Sequence, residues 1–335
     1  MNLAQRNQAA LTAVTFSEKL PPDMFTQVDL EPADFDISII EEIPPDVPAQ
    51  ITLEPAYDPE IISDTLAALS PETEVSYTGI QEQIAEAEGR HFEKIIASIQ
   101  QAGVQVNGKV LSGTPFLEII REVLRNEHDL VMIAAEDKGG LKEMLFGSTA
   151  MHLMRKCPCP VWVVKPDQPK RYTRILAAVD PTPQDGVQNA LNNKIMELAT
   201  SLAHWERSEL MIIHTWTVIG ESRLRQRSLP EREVDKLVRE TRDTHKRWLT
   251  ALLGKHHLED LQYQVYMLKG EAGKLIPSLA KAQEVDLIVM GTVSRSGVAG
   301  LLIGNTAEKI LQQVDCSVLT VKPDGFISPV KLDKV

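Results

Sequence analysis

The chain has 335 residues, 43% of them hydrophobic and 24% charged, and carries a formal net charge of −12. That length predicts about two domains, and the acidity excludes phosphate backbones and anionic lipid as partners unless a basic patch is set apart from it. No such patch stands out: the densest basic run, Arg223, Arg225 and Arg227, lies among Glu221, Glu231 and Glu233 and reads as a solvated face.

In chain order, Leu11–Phe16 is the first predicted strand, ending at Ser17 and Glu18. Residues 19–47 are rich in Pro, Asp and Glu and predict an acidic loop, not an amphipathic helix. Gln50–Tyr57 is the second predicted strand. Phe116–Asn126 predicts a helix, Asp129–Ala134 the fourth strand and Pro160–Val164 the fifth. Residues 166–172 combine two prolines with charge, as exposed linkers do.

Beyond the linker the pattern is cleaner. Arg174–Asp180 is a short apolar run that ends at Asp-Pro, the mark of a buried strand. Asn189–His204 has helical spacing, and Glu209–His214 is a second strand. Glu231–Leu253 puts Val234, Leu237, Val238, Trp248, Leu249 and Leu252 on one helical stripe, with Gly254 as its stop. Gln262–Leu268 alternates as a third strand does, Glu271–Gln283 is helical, Val285–Met290 is a fourth strand, Gly304–Gln313 a helix and Cys316–Val321 a fifth strand. Apolar strands alternating with helices predict an α/β fold with a parallel, doubly wound sheet.

The chain repeats itself. Asp129 and Asp286 are 157 positions apart, and the same offset joins Gly113 to Gly270, Gly147 to Gly304, Cys159 to Cys316 and Lys165 to Lys322. A period this long is a whole domain, so the sequence describes a duplication. Three cysteines, Cys157, Cys159 and Cys316, are too few and odd in number for a disulfide framework. The two-residue step from Cys157 to Cys159 does not fit a zinc knuckle, so no metal is expected. Residues 1–14 lack the basic start and apolar run of a signal peptide, and no apolar run reaches 18 residues. A cytoplasmic protein is expected.

In doubly wound sheets ligands sit beyond the carboxyl ends of the strands, at a switch in strand order. In the second repeat those ends carry Asp180, Thr215 and the run from Gly291 to Ala307. Gly304 opens a helix, and amides at a helix start are donors for an anion. The same glycines also suit a plain turn, and spacing alone leaves both readings open.

These residues resemble the universal stress protein family. Its pattern is a glycine after strand four, another three on, then nine residues and a Gly-Ser or Gly-Thr. This chain has Gly291, Ser294, Gly304 and Asn305 at that spacing. Val179-Asp180, Ile213-His214 and Val318–Pro323 resemble the family's flanking strands, and the likeness covers residues 173–324. Leu302–Glu308 and Arg155–Trp162 resemble the tandem, two-domain branch. The resemblance implies two Rossmann-like domains of the adenine nucleotide alpha hydrolase type, each with a mostly parallel five-stranded sheet, at 1–168 and 169–335. It implies ATP with magnesium, or another adenine nucleotide, in the second domain. Ala178, Val179, Asp180 and Thr215 would line the adenosine end, Met290 and Gly291 flank it, and Gly304, Asn305, Thr306 and Ala307 hold phosphates. Ser294 adds a Cβ where the backbone comes close, and Asn305 changes the shape of the site. In the first domain Ala134 and Asp137 stand for the glycines, and an acidic Asp137 repels phosphate. That domain is expected to bind no nucleotide and to serve as a built-in partner.

Three functions stay open. One is a stress-response regulatory protein whose small-molecule ligand biases contacts with regulatory proteins. Another is a scaffold that has lost its ligand. The third is an enzyme such as a slow ATPase, for which no catalytic residues stand out. The resemblance further implies that Val161–Val164 and Val318–Val321 pair within the chain as a pseudo-dimer, with a homodimer of whole chains as a further expectation.

Overall fold

The computed structural model describes residues 10–16, 77–135, 146–165, 171–182, 186–226, 230–292 and 304–332. It divides into two compact units, 1–118 and 119–335. The predictions for Gln50–Tyr57, for residues 19–47, for Ser17 and Glu18 and for Asp137 lie outside the described residues.

In the first unit, β1 (Leu11–Phe16) pairs in parallel with β2 (Val106–Leu111), and α1 (Tyr77–Gln101) precedes β2. Phe92 and Ile96 of α1 rest on Gly108, where a Cβ would stand 3.0 Å from the Phe92 ring. Neither α1 nor β2 was predicted. The helix α2 (Pro115–Asn126) follows and buries Ile119, Ile120 and Val123.

The second unit is built on one seven-stranded sheet. Its strands are β3 (Val131–Ala134), β4 (Val161–Val164), β5 (Arg174–Ala178), β6 (Glu209–Trp216), β7 (Tyr263–Lys269), β8 (Leu287–Gly291) and β9 (Ser317–Val321). Their order is β3-β4-β9-β8-β5-β6-β7. Between the strands run α3 (Ser148–Lys156), α4 (Gly186–Glu206), α5 (Glu221–Gln226), α6 (Glu231–Leu253), α7 (Ala272–Ala282) and α8 (Asn305–Leu311). The five strands of the second repeat are all parallel. Ile175, Leu176 and Ala177 of β5 and Leu287, Ile288 and Val289 of β8 have no exposed surface, as strands covered on both faces require. No helix among the described residues is long and apolar enough to cross a membrane.

The duplication is visible in three dimensions. Moved by 157 positions, β2 falls on β7, α2 on α7, β3 on β8, α3 on α8 and β4 on β9. Gly113 and Gly270 share a backbone conformation open to glycine, with φ of 128° and 147°. At Gly270 a Cβ would also stand 2.9 Å from Leu275 Cδ1. The repeated aspartate has a structural use, for Asp286 Oδ2 accepts hydrogen bonds from the Thr173 amide, the Thr173 hydroxyl and the Arg174 amide, joining the starts of β5 and β8.

Within the first unit β1 and β2 pair with each other, and within the second unit β3 and β4 continue the sheet of the second repeat. β1 pairs with the counterpart of β7, whereas in the second repeat the neighbour of β7 is β6. The helical stripe of α6 is also narrower than predicted. Val234, Leu249 and Leu252 are buried, whereas Leu237 is 39% exposed.

The two repeats meet at β4 and β9, which pair antiparallel with Val161 opposite Thr320, Trp162 opposite Leu319 and Val163 opposite Val318. Trp162 and Leu319 are counterparts at the 157 offset. The pseudo-two-fold axis therefore passes between them, and the predicted pairing of the two terminal strands is present.

Candidate functional site

From β5 the chain continues to β6 and β7 on one side of the sheet, and then places β8 and β9 on the other. The order switches between β5 and β8, and the carboxyl ends of these two strands diverge there. A cleft of about 890 Å³ opens at that point. Ala178, Val179 and Asp180 line it after β5, Thr215 at the end of β6, Met290 and Gly291 at the end of β8, and Gly304, Asn305, Thr306 and Ala307 at the start of α8. Ten predicted residues from four separate segments thus share one cavity. Ser294 lies outside the described residues.

Their surroundings differ. Val179, Met290 and Ala307 are more than nine-tenths buried, while Asn305 and Thr306 are exposed. The Asp180 amide donates to Oδ1 of the fully buried Asn192 at 2.9 Å, which fixes the chain as it leaves β5. The Asp180 side chain is 35% exposed in the cleft, with its Oδ1 buried 4.0 Å from His214 Nδ1. The Gly304 amide donates to the Thr292 carbonyl at 2.8 Å, tying the start of α8 to the end of β8. Within α8 the Glu308 amide donates to the Gly304 carbonyl at 3.0 Å, and the amides ahead of it are the ones that a helix start leaves without an intrahelical partner. Gly291 has a packing role, because a Cβ there would stand 2.8 Å from Leu191 Cδ2 on α4.

Several lining residues were not predicted. Asn192 comes from α4, Trp216 and Thr217 from the end of β6, His245 and Trp248 from α6, Gly270 to Gly273 from the turn into α7, and Lys309 from α8. Gly270 had a signal in its repeat position. His245 had none, since its place depends on how α6 crosses the sheet. His214, buried in β6, sets its Nδ1 3.2 Å from the Val179 carbonyl and its Nε2 2.8 Å from His245 Nδ1. Facing a carbonyl, Nδ1 must be the protonated nitrogen of neutral His214, so Nε2 accepts from His245 Nδ1–H. The His245 ring is thereby fixed in orientation, with its centroid 6.1 Å from that of Trp216 and 4.8 Å from that of Trp248. The cleft has an aromatic end at these rings and a polar end at α8. Of its charged side chains among the described residues, Asp180 and Glu271 are acidic and Lys309 is basic.

The universal stress protein family pattern matches residues 61–165 and again 171–322. The chain is 34% identical to Universal stress protein E of Salmonella typhi over 236 residues, which cover 70% of this chain and 73% of that one. It is likewise 34% identical to Universal stress protein E of Escherichia coli K12 over 235 residues, 69% of this chain and 73% of that one. Among solved structures it resembles a functionally unknown protein from Pseudomonas aeruginosa PAO1, with a TM-score of 0.60 and 24% identity over 71% of this chain and 79% of the other. It also resembles a universal stress protein from Archaeoglobus fulgidus, with a TM-score of 0.51 and 18% identity over 75% and 84% of the two chains. The structural likenesses carry the fold. The double sequence match over most of the chain, together with relatives 34% identical over the aligned two thirds or more of it, makes this protein a member of the universal stress protein family with the domain in tandem.

Proposed function

We propose that the cleft of the second repeat binds an adenine nucleotide or a small ligand of similar outline, and that the bound state governs contacts with regulatory proteins. The observation that supports this most is convergence. Val179-Asp180, Thr215, Met290-Gly291 and Gly304–Ala307 are scattered over 130 residues, yet all open on one cavity at the switch in strand order. The residues fit such a ligand in outline: Asp180 offers an acceptor for ribose or base, Trp216 and Trp248 offer aromatic surface, and Lys309 with the first amides of α8 offers donors for phosphate. Magnesium, if carried, would arrive with the phosphates. The division into repeats at 1–168 and 169–335 belongs to the same proposal, with the first repeat as the built-in partner of the second.

The test is a calorimetric titration of ATP and ADP with magnesium into the intact protein and into Gly304→Glu. The variant places a carboxylate at the polar end of the cleft. Saturable binding that is lost in a folded variant supports the proposal. No heat with either nucleotide, in protein shown to be ligand-free, favours the scaffold function. Turnover of ATP that disappears in Asp180→Ala would reopen the enzymatic one.

A further inference from the structure

Cys157 and Cys159 are unused by the ligand cleft, and they are not ordinary core cysteines. Cys157 ends α3, its amide donating to the Leu153 carbonyl at 2.9 Å before the backbone turns to extended geometry. Pro158 and Pro160 then stiffen the bend that leads into β4. The bend brings Cys157 Sγ and Cys159 Sγ to 3.5 Å. Cys157 has no exposed surface, whereas Cys159 is only partly buried. Of the two residues, Cys159 is the one nearer solvent.

A buried amine accompanies the pair. Lys322 arrives from the end of β9, only 2% exposed, and donates to the Met154 carbonyl at 2.5 Å and to the Thr292 hydroxyl. Four influences act on the Cys157 thiol. The side-chain hydrogen bond from Cys159 lowers its pKa most, burial opposes that, and a backbone hydrogen bond and the Lys322 charge lower it further. The same side-chain hydrogen bond, with burial, holds the Cys159 proton more tightly than usual.

We propose that Cys157 and Cys159 are a redox-active dithiol that reduces hydrogen peroxide and closes to an intrachain disulfide. The Cys159 thiol, the less buried of the two, first gives its proton to solvent water, and its thiolate attacks one peroxide oxygen. An S–O bond forms, the O–O bond breaks, and the leaving hydroxide takes a proton from solvent, giving a sulfenic acid and one water. Cys157 then attacks the Cys159 sulfur. An S–S bond forms, the S–O bond breaks, and the departing hydroxide takes the Cys157 proton and leaves as a second water. Two thiols and one peroxide become one disulfide and two waters, the sulfurs supplying both electrons. The sulfurs need only close from their present contact to the ~2 Å of a bond.

The remaining cysteine of the chain, Cys316, is the control. It is buried, which shields its sulfur from peroxide and, by desolvation, pushes its thiol up to about 12.

The test is to treat the reduced full-length chain with hydrogen peroxide at neutral pH and follow thiols and mass. Free thiols counted after denaturation should fall from three to one per chain. The peptide holding residues 157–165 should lose two hydrogens without any reducible link to another peptide. Cys157→Ser should then trap the sulfenic acid on Cys159, detected as a dimedone adduct. Reaction at Cys316, a disulfide between chains, or a 157–165 peptide that remains reduced while added glutathione is oxidised would each overturn the proposal. The wild-type measurement decides even if a serine variant fails to fold.

Discussion

At Gly291 the sequence allowed two readings, a close approach to a ligand or a plain turn, and the backbone of β8 decides for packing. A Cβ there would enter Leu191 of α4, itself 2% exposed and unable to retreat without disturbing the core. Gly291→Ala is expected to destabilise the protein by about 1–3 kcal/mol through overpacking, measured as a shift of the urea midpoint. An alanine variant that keeps full stability but loses ligand would reverse this reading. Lys322 gives a second prediction at the same scale. Burial pushes its pKa down to about 7, so between pH 7 and the ordinary lysine value the unfolded chain binds a proton that the folded chain does not. Stability should therefore rise with pH above 7, by at most ~1.4 kcal/mol per pH unit for one proton. The lowered Cys157 thiol acts in the same direction. Above pH 9 the raised Cys316 opposes it, because the folded chain then keeps a proton that the unfolded chain releases. Urea midpoints between pH 7 and 9 should climb in the native protein and climb less in Lys322→Met. Equal slopes would show that Lys322 is charged in the folded state at neutral pH.

Among the elements, β9 is the one most dependent on its neighbour. All five of its residues are buried, and β4 covers the edge that β8 does not. A fragment of residues 171–335 would expose that edge, with Val318 and Leu319 on it. Since the pseudo-two-fold axis already passes Leu319, a second copy of β9 can replace β4 with little rearrangement. The fragment is expected to be dimeric by light scattering and monomeric as Leu319→Lys. A monomeric unsubstituted fragment would show that the edge needs the particular side chains of β4, above all the buried Trp162. Elements also show where sequence reading succeeds. β5, β8 and β9 were legible because strands covered on both faces are runs of apolar residues. β1 was legible as a strand from its apolar run, while its partner in the sheet was not, because order within a sheet is set by crossovers and not by composition. α1 and β2 passed unnoticed. Val106–Leu111 places Asn, Gly and Lys among its apolar residues and lacks a clean alternation, although the 157 offset to Tyr263–Lys269 marks it once the repeat is followed.

For the whole molecule, the offset carried most of the information. It gave the duplication, while the pairing of the terminal strands came from the family resemblance and the location of the cleft from the strand ends at the switch in strand order. It could not give the cleft's aromatic end, because Trp248 and His245 read as one stripe of a surface helix until α6 is laid against β6. Nor could it give the burial of Lys322, which sits in a Val-Lys-Pro sequence that looks solvated. The axis between Trp162 and Leu319 has a further consequence. In a dimer of identical chains the residue on the axis must meet a copy of itself, and every mutation is made twice, once on each side. Here the two sides are encoded separately, so a bulky indole faces a smaller aliphatic partner, a combination that identical subunits cannot build. Each half of the seam is free to accumulate its own changes, and a damaging substitution on one side can be compensated on the other.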